Sequence, residues 1–309
     1  MVGWNHLGRR VIHKGRIMKV VFFNFYHNGD IHVSRGLVRE IAKVCQANGT
    51  PCEYYHPNSP SILADIPHVK HTTNAYGLHP GYRSALVGNT LFINTWYCGN
   101  NDIYQAYGIT FDCLYLSFKE PAKILGLDLD SIPGIDLFPN IDFNYFQIGK
   151  AKEWLAAHQR PRVLISNGHV LSGQSTNFSF ATIINELAKS HDHIDFLISN
   201  ADAGIARSPN VFFTSEIIQN GGFDLNENSY LANHCSTIIG RCSGAYSFAI
   251  TRENYWDNPK TFVAFTSLSV GATVWTKQFT PQPNAKIVVH NVSDNSAIGL
   301  IAEHLPARP

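Results

Sequence analysis

The sequence has almost no excess of charge of either sign. Its 309 residues include 24 lysines and arginines against 23 aspartates and glutamates, for a formal net charge of +1. Proteins that bind nucleic acid or anionic membranes do so largely through clustered positive charge. The balance argues against nucleic acid as a partner and leaves at most peripheral contact with a membrane. Charged residues are also scarce, at 15% against 12% aromatic residues, which predicts a large buried fraction.

The sequence also lacks the marks of a secreted or membrane-spanning protein. Its six cysteines form no CxxC pair and have no regular spacing, so we expect reduced, mostly buried thiols. No apolar run approaches the roughly 20 residues of a membrane helix, and the N-terminus has no signal-peptide core. We expect a cytoplasmic protein. Its basic residues 1–17 are either a non-core extension or the product of a start codon placed too far upstream.

Strand and helix patterns alternate in the first half of the chain. An apolar run without polar alternation is typical of a strand buried on both faces of a parallel sheet. Strands are predicted at residues 20–25, 51–56 and 91–95. Apolar residues at helical spacing predict helices at residues 33–47 and 101–125. Residues 57–89 predict a long irregular loop, a kind of segment that is usually functional or mobile.

The second half repeats the alternation more regularly. Strands are predicted at residues 162–166, 194–199, 211–214, 237–239, 262–265 and 287–289. Helices are predicted at residues 177–189, 226–233, 245–251 and 296–303. Six strands that alternate with helices indicate a Rossmann-like domain.

Length and linker composition indicate two domains. A chain of 309 residues suits two domains of about 150 residues each, and residues 131–140 contain two prolines without periodicity, as a connection does. We therefore predict the α/β class, with two Rossmann-like domains that face a central cleft. The N-terminal domain is predicted over residues 18–135 and the C-terminal domain over residues 136–309.

Gly29 and Asp30 lie in the predicted turn between the first strand and the first helix. Glycine permits a backbone geometry closed to other residues and lets a ligand approach closely. Asp30 has two interpretations. It either caps the helix and interacts with its dipole, or it is a general base that takes the proton of an acceptor hydroxyl during sugar transfer. His32 flanks this turn and is a candidate for lining the cleft.

A second glycine-containing segment, Gly240-Arg241-Cys242-Ser243-Gly244, follows the strand at 237–239 and precedes a helix. Backbone N–H groups and a helix N-terminus bind anions in such an arrangement. Arg241 and Ser243 are candidates for further phosphate contacts, and a plain tight turn is the alternative. The sequence contains neither GxGxxG nor GxxxxGK[ST], so it carries no dinucleotide fingerprint and no phosphate loop of that type.

Two other segments are candidates for binding a nucleotide sugar. The loop after residue 166 contains Asn167, Ser172, Gly173 and Gln174, whose small and polar groups suit a diphosphate or a sugar. The alternative is a flexible connection. Glu227, at the start of a predicted helix, either holds the hydroxyl pair of a ribose or belongs to a capped helix start.

Three patterns that suggest other chemistry are set aside. Asp128-Leu129-Asp130 has the DxD spacing of metal-dependent sugar transferases, but it precedes the predicted linker instead of following a core strand. His68, His71 and His79 lack a companion ligand pattern for zinc. Ser243 is not within GxSxG, so a hydrolase elbow is unsupported. We expect no metal site.

Together, the Asn-Gly-Asp turn, the two-domain layout and the late Gly-Arg-Cys-Ser-Gly segment resemble a GT-B-fold glycosyltransferase. The chain is most similar to the heptosyltransferase-like group, which includes lipopolysaccharide heptosyltransferases. The resemblance implies that Asp30 is the catalytic aspartate and that residues 240–245 contact the donor. The chain departs from the group's pattern at two places. Cys242 replaces an aspartate, and Ser247 or Phe248 replaces a histidine.

The resemblance implies a metal-independent glycosyltransferase without a cofactor. It would move a sugar from a nucleotide-diphosphate sugar to a hydroxyl of a glycan, glycolipid or other acceptor. The predicted donor-binding residues are Asn167, Ser172, Gly173, Gln174, Glu227, Arg241, Ser243 and Gly244. The predicted acceptor-binding residues are Gly29, His32, Tyr76, His79, Tyr82 and Arg83.

Two other functions remain open. A nucleotide-sugar 2-epimerase shares the fold, but its chemistry needs several carboxylates and a histidine around C2 and C3 of the sugar, and the second half offers few acids at strand ends. The other is a sugar- or nucleotide-binding protein without catalysis, which would suit the two departures from the group's pattern.

Overall fold

The computed structural model describes residues 16–96, 111–171, 173, 175–242, 244–266, 282–291 and 296–308. They form two separate β-sheets with helices packed against them. The prediction of an α/β protein with two Rossmann-like parts is confirmed.

The first sheet has five strands, and its order is β3-β2-β1-β5-β4. They are β1 (Lys19–Phe23), β2 (Cys52–Tyr55), β3 (Val69–Thr72), β4 (Ala85–Val87) and β5 (Thr90–Asn94). Only the β4–β5 pair is antiparallel. The helices of this half are α1 (Asn28–Val33), α2 (Arg35–Ala47) and α3 (Phe111–Ile124).

The second sheet has six parallel strands in the order β11-β10-β9-β6-β7-β8. They are β6 (Arg162–Ser166), β7 (Asp195–Ile198), β8 (Val211–Phe213), β9 (Thr237–Arg241), β10 (Thr261–Phe265) and β11 (Lys286–His290). The helices are α4 (Gly149–Ala157), α5 (Ala181–Ser190), α6 (Thr214–Ile218), α7 (Leu225–Asn233), α8 (Gly244–Phe248) and α9 (Ala297–Ala302). Counted within this half, the spatial order is 3-2-1-4-5-6, the order of doubly wound nucleotide-binding sheets.

Several sequence predictions are wrong in detail. The predicted loop over 57–89 contains β3, β4 and a 3₁₀ turn at Pro60–Leu63. Both strands lie at sheet edges and are only partly buried; β3 mixes apolar with polar residues, and β4 is only three residues long. The first helical region begins five residues earlier than predicted and is split at Ser34, so Gly29 and Asp30 lie inside a helix. Helices α4 and α6 were not predicted.

The connection between the sheets, predicted as a linker over residues 131–140, is partly buried. Leu137 and Phe138 are fully buried, and the Phe138 ring lies 4.8 Å from that of Trp256. A Cβ on Gly36, in α2, would lie 2.1 Å from the Leu137 carbonyl oxygen, so only glycine allows this approach. One apolar cluster includes residues of both sheets. The domain boundaries at 17/18 and 135/136 stay predictions.

No helix in the described part of the chain has the length and apolar character to cross a membrane. The cysteines within the described residues are free thiols, as predicted. Four of them are buried and Cys242 is partly buried, while Cys98 lies outside the described residues.

Candidate functional site

Each sheet has a place where its chain order reverses, and such places form ligand crevices at the carboxyl ends of strands. In the first sheet the reversal lies between β1 and β5, and in the second it lies between β6 and β9. The segment after β1 carries Asp30, and the segments after β6 and β9 carry most of the predicted donor residues. The fold therefore places the predicted residues beside the two reversals, which we call the first and the second crevice.

The segments that follow β1 and β9 pack directly against each other. A Cβ on Gly29 of α1 would lie 3.1 Å from the Cβ and Oγ of Ser247 and 3.5 Å from the Cα of Gly244. A Cβ on Gly244 would lie 3.7 Å from the Gly29 nitrogen. Gly29 was expected to serve an unusual turn geometry or to contact the acceptor. It instead lies in a helix, where its missing side chain permits this close packing.

Asp30 lies in the first turn of α1, beside this contact. Its Oδ2 accepts a hydrogen bond of 2.9 Å from the backbone N–H of His27, so the capping interpretation holds. Burial raises the pKa of Asp30 to about 6, while the His27 hydrogen bond and charge lower it to a smaller extent. A carboxylate of this basicity suits proton abstraction near neutral pH, so capping and base catalysis are compatible.

A buried polar cluster lies at the reversal between β1 and β5. The Asn24 side chain donates to Thr95 Oγ1 at 3.1 Å, and the Tyr54 hydroxyl hydrogen-bonds to the same oxygen. All three residues are at most 1% exposed. Burial raises the pKa of Tyr54, and the negative charge of Asp30 adds to the effect, so the cluster is close to Asp30. These residues were not predicted as site residues, although polar residues at the ends of apolar strands were visible in the sequence.

His32 does not face an acceptor. It is fully buried, its ring stacks on Phe248 at 4.4 Å, and its Nε2 lies 3.3 Å from the Ile250 carbonyl oxygen. Burial is the main cause of a pKa well below the usual range, and nearby Arg35 lowers it further. The early start of α1 turns this side chain toward the second half, so the structure gives no support to acceptor binding by His32, which stays a prediction.

Tyr76 is also distant from Asp30. Its hydroxyl contacts Glu53 and accepts from Lys19 Nζ at 2.7 Å. Lys19 is the first residue of β1, so Tyr76 lies toward the amino end of that strand, whereas Asp30 follows its carboxyl end. These contacts give no support to acceptor binding by Tyr76, which stays a prediction.

The end of the same loop lies at the carboxyl end of β5. The Asn94 side chain donates to the Tyr82 carbonyl oxygen at 2.7 Å. The Tyr82 and His79 rings are 5.7 Å apart, and Arg83 follows in sequence with an exposed side chain. His79, Tyr82 and Arg83 remain candidates for acceptor binding.

On the donor side, Arg241 lies within β9 instead of in a turn. Its Nη1 donates to the carbonyl oxygens of Asn167 at 2.7 Å and Gly168 at 3.0 Å, and its Nη2 donates to that of Phe178. The residue is 2% exposed. The guanidinium therefore holds the loop after β6, and the predicted contact between Arg241 and a phosphate stays a prediction.

Asn167 is held in a similar way. Its Nδ2 donates to the Asn200 carbonyl oxygen, and its Oδ1 accepts from the Asn200 N–H, both at 2.9 Å. The side chain therefore joins the ends of β6 and β7, and its role as a donor ligand stays a prediction. Gly173 adopts a φ of +72°, which favours glycine. Ser172, Gln174 and Ser243 lie outside the described residues.

Glu227 lies in the first turn of α7 and is 5% exposed. Its Oε1 accepts from Asn220 Nδ2 at 3.2 Å, while its buried Oε2 has no hydrogen-bond partner. Burial raises its pKa. An unsatisfied buried carboxylate oxygen is costly, and a ligand hydroxyl would satisfy it. The predicted ribose contact thus stays a prediction with a supporting geometry.

The DxD pair has structural partners. Asp130 forms a 2.7 Å ion pair with Lys119, and Asp128 Oδ1 accepts from the Asp130 N–H at 3.1 Å. Within the described ranges, no group of three or more His, Cys, Asp or Glu side chains is arranged to hold a metal ion.

Fold and site together define a two-sheet α/β protein whose carboxyl-end crevices meet beside an aspartate. No protein-family model matches the chain, and no curated protein matches its sequence. Among solved structures, the chain is similar to glycosyltransferases of GT-B fold, including heptosyltransferases. The likeness concerns the fold alone.

Three of these structures illustrate the likeness. E. coli heptosyltransferase WaaC with ADP is 11% identical, with 93% of this chain and 97% of that chain covered and a TM-score of 0.46. A glycosyl transferase family 9 protein from Veillonella parvula is 12% identical, with coverage of 94% and 91% and a TM-score of 0.43. The iron-containing dodecameric glycosyltransferase TibC from enterotoxigenic E. coli is 15% identical, with 86% of this chain covered and a TM-score of 0.46. The match spans only 61% of TibC.

Proposed function

We propose that the chain is a glycosyltransferase that moves a sugar from a nucleotide-diphosphate sugar to an acceptor hydroxyl. The observation that carries the proposal is the position of Asp30. A partly buried carboxylate with a pKa of about 6 lies where α1, from the first crevice, packs against α8, from the second. A base at this position lies between a bound acceptor and a bound donor.

Asp30 accepts the acceptor proton as the new glycosidic bond forms. The acceptor oxygen attacks the anomeric carbon, the bond from that carbon to the diphosphate oxygen breaks, and the diphosphate leaves with the electron pair. The charge that develops on the diphosphate is stabilised by positive charge and N–H dipoles at the second crevice. Transfer is proposed to be independent of a DxD-bound metal, because Asp128 and Asp130 are engaged in a turn and an ion pair.

The remaining site residues follow from this arrangement. Glu227 Oε2 would accept from a ribose hydroxyl of the donor, since it is buried without a partner. Ser172, Gly173, Gln174, Ser243 and Gly244 are proposed for the diphosphate side. His79, Tyr82 and Arg83 are proposed for a glycan, glycolipid or other hydroxyl acceptor, because their loop lies at the carboxyl end of β5.

Asp30→Asn tests the proposed base. The amide still accepts the His27 hydrogen bond but takes up no proton, so turnover should fall by about two orders of magnitude or more with donor binding retained. The measurement is initial-rate kinetics together with calorimetric donor titration. Asp195→Asn is the matched control, because burial also raises the pKa of Asp195. Asp195 is the first residue of β7, so it lies at the amino ends of the strands of its sheet, away from the proposed site.

The outcomes separate the alternatives. Unchanged turnover in the Asp30 variant, or an equal loss in the Asp195 variant, would contradict the base role. Donor consumption that yields an epimer without any acceptor would identify an epimerase. Donor binding without turnover in the wild-type protein would identify a binding protein.

A further inference from the structure

Arg241 is a buried cation without a carboxylate partner. Its described contacts are three backbone carbonyl oxygens and the rings of Phe178 and Phe180, which lie 5.1 and 4.8 Å from Cζ. Its Nε has no hydrogen-bond partner. Among the described residues no acidic side chain neutralises it, and burial is the only cause of its lowered pKa. A buried charge of this kind is costly unless another group compensates it.

The position of Arg241 indicates what compensates the charge. It is the last residue of β9, next to β6, where the order of the second sheet reverses. This is the crevice in which doubly wound sheets bind ligands. An anion bound there would be attracted by the guanidinium through a few ångströms of protein, where charges interact more strongly than in water.

Arg241 also fixes the direction of two peptide groups. Its Nη1 holds the carbonyl oxygens of Asn167 and Gly168, and these peptides are trans. In a planar trans peptide the N–H points opposite to the C=O, so the N–H groups of Gly168 and His169 point away from the guanidinium. Neither N–H has a backbone acceptor among the described residues. Successive free N–H groups are a common way to bind anions.

We propose that Arg241 is a positioning residue for an anionic ligand: it supplies the buried charge and directs the Gly168 and His169 N–H groups toward that ligand. The identification of the anion as the diphosphate of a nucleotide rests on the proposed function. Three of the five guanidinium N–H groups are occupied by carbonyl oxygens, so the proposal assigns the contact with the anion to the Gly168 and His169 N–H groups.

The first test separates the positive charge of Arg241 from the hydrogen bonds that its guanidinium donates to the carbonyl oxygens. Inorganic pyrophosphate is titrated calorimetrically into the wild-type protein, Arg241→Met and Arg241→Lys. Both substitutions remove the fork that holds the carbonyls, but lysine keeps the charge. We expect affinity to fall about tenfold or more in Arg241→Met, with a clearly smaller loss in Arg241→Lys.

Arg162→Met is the matched control. Arg162 also donates to backbone carbonyl oxygens, those of Leu155, His158 and His234, and its Nε also lacks a partner. Arg162 is the first residue of β6, so it lies at the amino ends of the strands, opposite the carboxyl ends where the anion is proposed to bind. If such arginines had only a structural role, Arg162→Met and Arg241→Met would lower the pyrophosphate affinity equally. We expect the pyrophosphate affinity of Arg162→Met to be unchanged.

A second pair of variants leaves Arg241 in place. Phe178 is only partly buried, and its ring lies 5.1 Å from the guanidinium. Phe178→Glu would give the guanidinium a carboxylate partner and should weaken pyrophosphate binding about tenfold. Phe178→Gln has nearly the same shape without the charge and should bind pyrophosphate more tightly than Phe178→Glu. This comparison remains available if Arg241→Met does not fold.

Three results would overturn the inference. They are no pyrophosphate binding by the wild-type protein, equal affinities of Phe178→Glu and Phe178→Gln, and equal losses in Arg241→Met and Arg162→Met. Asp30→Asn should bind pyrophosphate with wild-type affinity. Pyrophosphate affinity therefore tests the role of Arg241, and turnover of Asp30→Asn tests the proposed base.

Discussion

At the scale of single residues, the capping role of Asp30 is compatible with the proposed role as a base. Its hydrogen bond to the His27 N–H stabilises the start of α1, and its burial makes it a better base than an exposed aspartate. Both effects come from the same position in the first helical turn. A residue that caps a helix beside a crevice is thus a carboxylate that is already oriented and partly desolvated.

The raised pKa of Asp30 predicts opposite effects on stability and activity. Above pH 6 the folded wild-type protein holds an ionised carboxylate that burial disfavours, so Asp30→Asn should be more stable by about 1–2 kcal/mol. The difference should shrink as the pH falls from about 6 toward 3.8, the ordinary pKa of an aspartate, and vanish below it. Urea denaturation at pH 4, 6 and 8 measures this. An Asp30→Asn variant that is less stable than the wild-type protein at pH 8 would contradict the prediction. The activity of the wild-type protein should decline below pH 6, because the proposed base then becomes protonated.

At the scale of elements, helix α2 is positioned by a glycine that the sequence did not mark as special. The backbone of Leu137 and Phe138 passes so close to Gly36 that a Cβ would lie 2.1 Å from one carbonyl oxygen and 2.8 Å from the other. The connection between the two sheets is thereby packed against α2. Apolar periodicity located the helix but gave no information about the segment that packs against it at Gly36.

Gly36→Ala should destabilise the protein strongly, because the added methyl group would clash with the backbone of Leu137 and Phe138. We expect a loss of about 3 kcal/mol or more in the free energy of unfolding. Gly299→Ala is the matched control, since Gly299 also lies in a helix and a Cβ there meets no atom within 4 Å. It should stabilise the protein by about 0.5–1 kcal/mol. Chemical denaturation of both variants checks this, and similar effects would contradict it.

At the scale of the whole molecule, a buried polar network joins the two halves. Arg35 is fully buried, forms an ion pair with Asp65 at 3.2 Å and donates to Asn226 Oδ1, in α7, at 2.8 Å. Asn226 Nδ2 donates back to the Ser61 carbonyl oxygen at 3.0 Å. Together with the shared apolar cluster, this network favours unfolding of both halves as one unit.

Asp65→Asn should therefore lower the stability of the entire chain. Removing the carboxylate leaves Arg35 buried without a counter-charge, which costs about 3–5 kcal/mol. Calorimetry should record one transition that shifts as a whole. Glu153→Gln, which breaks an exposed ion pair with Lys150, should have no measurable effect. Two transitions, only one of which moves, would show that the halves unfold separately.

The sequence by itself determined the strands that carry distinct apolar runs. All six strands of the second sheet and the three predicted strands of the first were found, because apolar runs are a local signal. The sequence also placed Asp30 and the segments after β6 and β9 at strand ends. Edge strands β3 and β4 were missed, because β3 mixes apolar with polar residues and β4 is only three residues long.

Only the tertiary structure decided which side chains reach the crevices. His32 was turned toward Phe248 by the early start of α1, Tyr76 was held by Lys19 toward the amino end of β1, and Arg241 was occupied by carbonyl oxygens. Each outcome depends on partners that are distant in sequence. Local periodicity fixes that a residue belongs to a helix, strand or loop, but the direction of a polar side chain is set by the donors and acceptors that long-range packing brings to it.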